Sequence, residues 1–466
     1  MSRRAGAGLE PGAAALFVDL YELTMAASYH QLGLTDRVTF DLYVHNLPPR
    51  RNYVVAAGLE PALDYLEDLR FDEAAVVYLR SLGLFDESFL GALAQLRFSG
   101  DVWAIPEGEL AFPYEPLLRV SAPLVEAQVV ETFLLNCVGY QTLIATKAAR
   151  LSTACAGRPF VDFSPRRDHG TDAAMKAARA ATIGGAAGTS LVLAGREFDL
   201  ELSGTMAHSY VMRFEREEDA LLSFARAYPR RAVLLLDTYD TQAGARIVAA
   251  LAPRLREEGV VPRAVRLDSG DLAELAPAVR RILDDAGLDG VGIFASGDLD
   301  EYRIADLVHR EAPIDAFGVG TQLGTSGDAP SIGVVYKLVE DPTGPKVKLA
   351  PDKLTLPGRK QVYRSSEDGR YSHDVLALAD EPGIEGRPLL EPVLRGGRRA
   401  RPPDGLRAAR ARCAAALAAL PDHLRGLDAA EPAYPVRRSD GLAALCERLR
   451  TEHESDAGRI DGRRDG

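Results

Sequence analysis

The chain has 466 residues, 47% of them hydrophobic and 26% charged, the balance of an ordinary globular protein with core enough to need no staples. A formal net charge of -12 argues against a general nucleic-acid or anionic-membrane binder, so an anionic ligand would have to meet positive charge gathered locally. The 4 cysteines, Cys137, Cys155, Cys413 and Cys446, form no CxxC or CxxH pair, which argues against a zinc knuckle or disulfide scaffold and fits a reducing compartment. In chain order, the apolar run 13–18 stops at Asp19, too short for a signal-peptide core. No run approaches the roughly 18 apolar residues of a membrane span, so the expected location is the cytoplasm, away from membranes. Residues 58–69 carry a helical pattern. Residues 97–121 contain Val102-Trp103-Ala104-Ile105 followed by Pro106, Gly108, Pro113 and Pro116, which is strand and turn chemistry. Residues 123–154 read as helical, with Glu131, Asn136, Gln141 and Lys147 among apolar positions.

From 159 to 339 short apolar runs alternate with Ala-rich helices. The runs are Phe160-Val161, 190–193, Glu201-Leu202, 233–236, Val265-Arg266-Leu267, 291–294 and Ala316-Phe317. Ile247, Val248, Leu251 and Leu255 share one helical face; Leu275, Ala276, Val279, Ile282 and Leu283 share another. Gly259 and Gly287 stand where helices should end. Roughly seven such units predict parallel βαβ connections and an irregular β/α barrel, with the site just beyond the C-terminal ends of its strands. The expected layout is an N-terminal α/β domain (1–122), connecting helices (123–158), the barrel (159–340), a C-terminal region that packs back on the N-terminal domain (341–455) and a disordered Gly/Asp/Arg-rich tail (456–466).

The strand ends carry the chemistry. Asp162-Phe163-Ser164-Pro165-Arg166-Arg167 offers an aromatic face and two guanidiniums, the means of holding a flat anionic ring or a phosphate, although a surface basic turn would read the same. His208, in Gly204-Thr205-Met206-Ala207-His208-Ser209, can serve as base, metal ligand or phosphate acceptor. Asp237-Thr238-Tyr239-Asp240-Thr241 and Arg266-Leu267-Asp268-Ser269-Gly270-Asp271 supply carboxylates suited to a divalent metal or ribose hydroxyls. Thr241 and Asp271 are placed to be helix N-caps instead. Ser296-Gly297-Asp298 and Gly318-Val319-Gly320-Thr321 are short turns whose N–H groups can cradle phosphate. On successive strands they resemble the phosphate site after the last two strands of a barrel. The sum fits a phosphorylated sugar and a flat acidic partner.

Further motifs carry a specific resemblance. Asp19-Leu20-Tyr21-Glu22-Leu23-Thr24-Met25, Ala57-Gly58-Leu59, Ala145-Thr146-Lys147-Ala148-Ala149-Arg150, Gly188-Thr189-Ser190, Gly204-Thr205-Met206-Ala207-His208, Arg266-Leu267-Asp268-Ser269-Gly270-Asp271, Gly318-Val319-Gly320-Thr321 and 355–364 occur in the number and order of the nicotinate phosphoribosyltransferases. The chain resembles that family over residues 16–364. The resemblance implies a type II phosphoribosyltransferase fold: an α/β sandwich domain beside an incomplete β/α barrel. It implies a homodimer with shared sites, joining nicotinate to phosphoribosyl pyrophosphate with Mg²⁺ and with ATP as co-substrate. By the same resemblance Tyr21, from the partner chain, and Phe163 cover the two ring faces. Arg166, Thr205 and Arg266 lie near the nicotinate and phosphoribosyl groups. Gly297, Asp298, Gly318, Gly320, Thr321 and Thr325 form the phosphate turns. Asp268 helps hold the metal, and His208 is phosphorylated by ATP. Nicotinamide-using relatives carry an Asp where Ser190 stands, so Ser190 favours the carboxylate of nicotinate. His45 occupies an expected Arg position, and Ser164 one where many members have Gly. The alternatives are a quinolinate or nicotinamide phosphoribosyltransferase, and a non-catalytic dimer that binds phosphoribosyl pyrophosphate. An unrelated barrel aldolase would need a Schiff-base lysine at a strand end, whereas Lys147 lies in a helical segment.

Overall fold

Val38, Phe40, Leu42 and Val44 alternate along one strand and are buried together, and that strand is an interior strand of the main sheet in the first of two folding units. The computed structural model describes residues 11–349 and 355–461. One unit holds the chain up to Thr146 and again from Ser331; the other is Lys147–Pro330. In the first, seven strands pair antiparallel in the order Gly344–Pro345, Gly333–Asp341, Arg37–Asn46, Pro116–Pro123, Asp101–Ala104, Glu391–Arg395, Arg398–Arg399. The helices Leu59–Asp68, Glu73–Ser81 and Glu87–Gln95 contribute Leu63, Leu66, Leu79, Leu90 and Leu93 to the same buried core. A smaller sheet is built around the hairpin Lys360–Glu367 and Arg370–Leu378.

The domain edges expected at 122, 158 and 340 move. The strand Gly333–Asp341 pairs with Arg37–Asn46 and so belongs to the first unit, not to the barrel. The long helix Glu131–Ala154 crosses the boundary at Lys147 instead of forming a separate connector. The last helix, Asp440–Asp461, runs into the segment expected to be disordered from Asp456; 462–466 lie outside the described residues.

In the second unit five parallel strands pair in the order Phe160–Asp162, Ala316–Val319, Gly292–Ala295, Ala264–Leu267, Val233–Leu235. Phe160–Asp162, the first of these strands in the chain, lies beside Ala316–Val319, the last in the chain, as in a β/α barrel. Single parallel bridges from Asp162 to Thr189 and from Thr189 to Leu202 extend the sheet by two residues' worth of pairing. No ladder among the described residues joins Leu202 to Val233–Leu235, so the barrel is incomplete. The run 190–193, read as a strand, is a turn into the helix Val192–Phe198. Thr189 explains the change: its hydroxyl accepts from the Leu191 amide at 3.1 Å and turns the chain after one extended residue. The helices Thr241–Glu257 and Leu272–Asp285 end just before Gly259 and Gly287. Among the described residues no helix is long and apolar enough to cross a membrane.

The first unit also buries charge. Arg364, almost wholly enclosed, donates to Asp374 at 2.6 Å and to Glu109 at 2.8 Å, and lies 4.0 Å from Glu115. Burial, and then the charge of Asp374, push the Glu115 carboxyl well above the usual carboxylate range. Removing the guanidinium would strand at least two buried carboxylates. Arg364→Met should therefore cost about 3–5 kcal/mol in urea denaturation, whereas Glu115→Gln, which copies the protonated form, should cost little. Equal losses for the two would contradict this assignment of charge.

Candidate active site

Parallel strands aim their C-terminal ends at one rim, and here the rim encloses a cavity of about 270 Å³. Phe163, Arg166, Ser190, Thr205, His208, Arg266 and Asp268 line it, with Gly204, Met206, Ala207 and Leu235 between them. Seven of the residues expected from sequence thus meet at one opening. Arg266, on the strand Ala264–Leu267, is the most constrained. Its Nη2 donates to Asp268 Oδ1 at 2.6 Å, its Nε to Ser296 Oγ at 2.8 Å and its Nη1 to Thr205 Oγ1 at 2.9 Å. Ser296 Oγ donates in turn to Asp268 Oδ1 at 2.6 Å. The guanidinium carbon stands 5.7 Å from the centre of the Phe163 ring, within cation–π range. A fork fixed on three segments is a preformed cationic surface beside an aromatic face.

His208 opens the short helix His208–Met212. Its Nδ1 lies 3.2 Å from Thr238 Oγ1, and its Nε2 faces Asp268 Oδ2 at 3.7 Å. With one nitrogen beside a hydroxyl and the other facing a carboxylate, the ring is oriented from both sides. The acidic residues of these strand ends divide by role. Asp240, Asp271 and Asp300 accept from the first-turn amides of Ala243, Ala273 and Arg303 and are helix caps. The cap expected at Thr241 is therefore Asp240. Asp237 and Asp268 remain for the site. Asp237 Oδ2 accepts from the Asp268 amide at 3.2 Å and from the Ser269 hydroxyl, while its Oδ1 is buried with no hydrogen-bond partner. No cluster of three or more His, Cys, Asp or Glu stands ready to cage a metal among the described residues. Of these carboxylates Asp268 lines the cavity, and one protein carboxylate fits a Mg²⁺ that arrives with most of its ligands already supplied.

The glycine turns abut this cavity through backbone too close for a side chain. A Cβ on Gly318 would stand 2.7 Å from the Phe163 ring, and one on Gly297, whose φ is +95°, would stand 1.9 Å from the Asp268 carbonyl. Asp298 is left-handed at φ 47°, and its carbonyl accepts from Arg303 at 2.9 Å. Gly320 precedes the short helix Thr321–Gly324, and Thr325 donates from its hydroxyl to the Thr321 carbonyl at 2.7 Å. Gly297, Asp298, Gly318, Gly320, Thr321 and Thr325 do not line the cavity itself. Tyr21 belongs to the first unit, on the helix Leu20–Gln31, 48% exposed. His45, also in the first unit, points its Nε2 at Tyr114 Oη, 3.2 Å away.

Sequence reasoning named the run containing Asp162 but not its task. Asp162 is buried at the end of the first barrel strand, where its two oxygens accept from the Ser164 amide and the Thr189 hydroxyl, each at 2.9 Å. It thereby fixes Phe163 on one side and Ser190 on the other. Asp168 accepts from Ser164 Oγ at 3.0 Å, and burial, then the charge of Asp162, raise its carboxyl to about 6. Ser296 was likewise read only as part of a turn. Nothing in the spacing distinguishes these from ordinary turn residues.

An aromatic face, a fixed guanidinium, a histidine over a carboxylate and two glycine turns at one end of an incomplete parallel barrel define a site for a flat ring and a phosphorylated sugar. Comparison with known proteins makes the class specific. The nicotinate phosphoribosyltransferase N-terminal domain matches residues 16–139, and the nicotinate phosphoribosyltransferase family matches residues 159–339. The chain is 48% identical over 444 residues to nicotinate phosphoribosyltransferase pncB2 of Mycobacterium tuberculosis, covering 95% of each. It is 42% identical over 388 residues to the Bacillus subtilis nicotinate phosphoribosyltransferase, covering 80% of this chain and 78% of that one. The crystal structure of human nicotinic acid phosphoribosyltransferase superimposes with a TM-score of 0.84 at 30% identity, covering 92% of this chain and 99% of that one. The chain belongs to the nicotinate phosphoribosyltransferase family.

Asp168 gives the rim a pH signature. A carboxyl whose folded pKa is raised contributes stability that is complete below its unfolded value near ~4 and is lost as pH rises through about 6. Asp168→Asn removes this loss, so the variant should gain stability relative to the parent between pH 4.5 and 7.5. Urea titrations at the two pH values check it; a parent and variant that move in parallel would count against the raised carboxyl.

Proposed function

We propose that the chain joins nicotinate to 5-phosphoribosyl 1-pyrophosphate, giving nicotinate mononucleotide and pyrophosphate for NAD biosynthesis in the cytoplasm. The observation that carries the reading is Arg266, locked by Asp268, Ser296 and Thr205 beside the Phe163 ring, in a chain whose relatives along nearly its full length bear that activity in their names. Phe163 supports one face of the pyridine, and Arg166 and Arg266 meet its carboxylate and the phosphoribosyl group. Ser190 leaves the carboxylate unopposed. The turns at Gly297–Asp298 and Gly318–Thr321 hold phosphate through backbone N–H groups, with Thr325 beside them.

The ring nitrogen attacks the anomeric carbon as the bond to pyrophosphate breaks. The carbon passes through an oxocarbenium-like state that the Asp268 carboxylate stabilises. Bound Mg²⁺ supplies charge neutralisation of the departing pyrophosphate. Asp268, which lines the cavity, would be the protein carboxylate nearest that ion, with Asp237 bracing it by accepting from its amide. Holding both reactants in line supplies up to ~7–11 kcal/mol. ATP uses the same site and phosphorylates His208 at Nε2, and loss of that phosphate is coupled to release of product. Asp268, 3.7 Å from that nitrogen, holds the ring in place before transfer.

A homodimer with shared sites accounts for two exposed apolar surfaces. Phe17, Leu20 and Tyr21 are 37%, 52% and 48% exposed in the first unit, and Val192, Leu193 and Leu202 are 70%, 46% and 50% exposed in the second. In the dimer Tyr21 covers the second ring face of the partner's site.

Three outcomes are expected. Nicotinate should turn over and be stimulated by ATP, while His208→Asn should abolish the stimulation and leave a slower uncoupled transfer. Full stimulation in that variant would remove the phosphohistidine. Ser190→Asp should lower kcat/KM for nicotinate about a hundredfold, roughly 3 kcal/mol, with nicotinamide affected far less. Carbon dioxide release from quinolinate, or no turnover of any pyridine, would instead favour the alternative substrates or a binding protein. Finally, Tyr21→Ala and Arg266→Ala should each be inactive alone, yet a refolded mixture should regain about a quarter of the sites if two chains share them.

A further inference from the structure

The motif Ala145-Thr146-Lys147-Ala148-Ala149-Arg150 has no part in the cavity, yet it holds the most enclosed lysine of the second unit. Lys147 lies in the helix Glu131–Ala154 with its side chain 1% exposed. Its Nζ donates to Glu301 Oε2 and, at 2.6 Å, to Asp328 Oδ1. Glu301 is itself fully buried, and its other oxygen accepts from Arg150 Nε at 3.0 Å. Arg150 also donates to Tyr302 Oη at 2.9 Å.

The two carboxylates joined by this one ammonium sit at telling places. Glu301 is the first residue of the helix Glu301–His309, immediately after its cap Asp300 and the turn Gly297-Asp298. Asp328 closes the loop that begins at Gly320 and the short helix Thr321–Gly324. That loop is tightly wound: Gly327 N–H donates to the Gln322 carbonyl at 3.2 Å, and Ala329 N–H to the Ser326 carbonyl at 2.8 Å. The Thr325 N–H donates to the Thr321 carbonyl at 3.1 Å, so the same winding links Thr321 to the segment that carries Asp328. Two cations and two carboxylates balance in charge, but enclosing them forfeits hydration that apolar residues would not have needed. What such a set provides is a fixed distance between the segments it joins.

We propose that Lys147 is a positioning residue: it ties the turn after the strand Gly292–Ala295 to the loop after the strand Ala316–Val319, and so sets the spacing between the two phosphate cradles. This rests on the reading that those turns hold the phosphates of phosphoribosyl pyrophosphate. A ligand with phosphates at both ends of a ribose needs both cradles at once, and a misplacement of about 1 Å at a remote support can cost on the order of a hundredfold. Nicotinate contacts neither turn's amides in this arrangement and is indifferent to the tether.

The test is a split in Michaelis constants. Asp328→Asn leaves the Lys147–Glu301 and Arg150–Glu301 contacts in place and weakens the arm to the second loop. Its KM for phosphoribosyl pyrophosphate should rise about ten- to a hundredfold, with KM for nicotinate within about twofold of the parent and the thermal midpoint little changed. Lys147→Met should give the same split; if it fails to fold, Asp328→Asn alone carries the test. Unchanged constants in Asp328→Asn would overturn the tether, and so would a parallel rise of both constants with a fallen midpoint, the mark of a merely structural residue. Thr321→Glu, which sets a carboxylate at the second cradle, reads the phosphate assignment separately. If it leaves KM for phosphoribosyl pyrophosphate unchanged, the assignment fails and the tether with it; if it raises KM while Asp328→Asn does not, only the tether fails.

Discussion

A guanidinium has five N–H donors in a rigid plane, and no single neighbour can satisfy them. Arg266 finds its partners on separate segments: Asp268 on its own strand end, Ser296 on the next, and Thr205 on the loop after Leu202. Those three contacts do more than hold one side chain. They fix the relative height of adjacent strand ends, place Asp268 opposite His208, and set a charge against the Phe163 face. An Arg–Asp pair enclosed to this degree has given up hydration on both sides, and it is favourable only because Ser296 and Thr205 complete its hydrogen bonds. The rest of the rim is arranged around that constraint.

The acidic residues follow from it. A strand that ends at a barrel rim and turns into a helix needs an N-cap, and aspartate is a good one. Asp240, Asp271 and Asp300 serve in this way, and their oxygens are occupied by backbone amides. Asp237 and Asp268 sit earlier, at the strand ends, where Asp268 lines the opening and Asp237 accepts from its amide. The sequence offers both kinds in one run, and only the position of the first helical amide separates them.

Close backbone approach is the second constraint. Phe163 packs over Gly318, and the turn at Gly297 rests on the Asp268 carbonyl. The aromatic face, the carboxylate and the two turns are thus in contact through atoms that no other residue type would allow so near. Asp162 adds a further tie, joining the strand before Phe163 to Thr189 and Ser190 through its two oxygens. A site built from such contacts is stiff where ligands bind, which is the condition for electrostatic stabilisation without reorganisation.

Much of this was legible from the chain alone. Apolar runs followed by Arg, His and Asp predicted parallel strands with a site beyond their ends, and Phe163, Arg166, Ser190, Thr205, His208, Arg266 and Asp268 do share one cavity. Local chemistry suffices for that, because a strand's direction and its following turn are written in adjacent residues. Where the units begin and end was not legible: Gly333–Asp341 reads as a continuation of the barrel and pairs instead with Arg37–Asn46, nearly three hundred residues earlier. The run 190–193 looked extended and became a turn, because a single Thr189 hydroxyl captured the next amide but one. Nor could spacing disclose Asp162, Ser296 or the Lys147 set, whose partners lie 27 to 181 positions away. Sequence determined which chemistries were present and at which strand ends; the tertiary structure alone decided which side chains met, since hydrogen bonds and ion pairs act over a few ångströms of space whatever the distance along the chain.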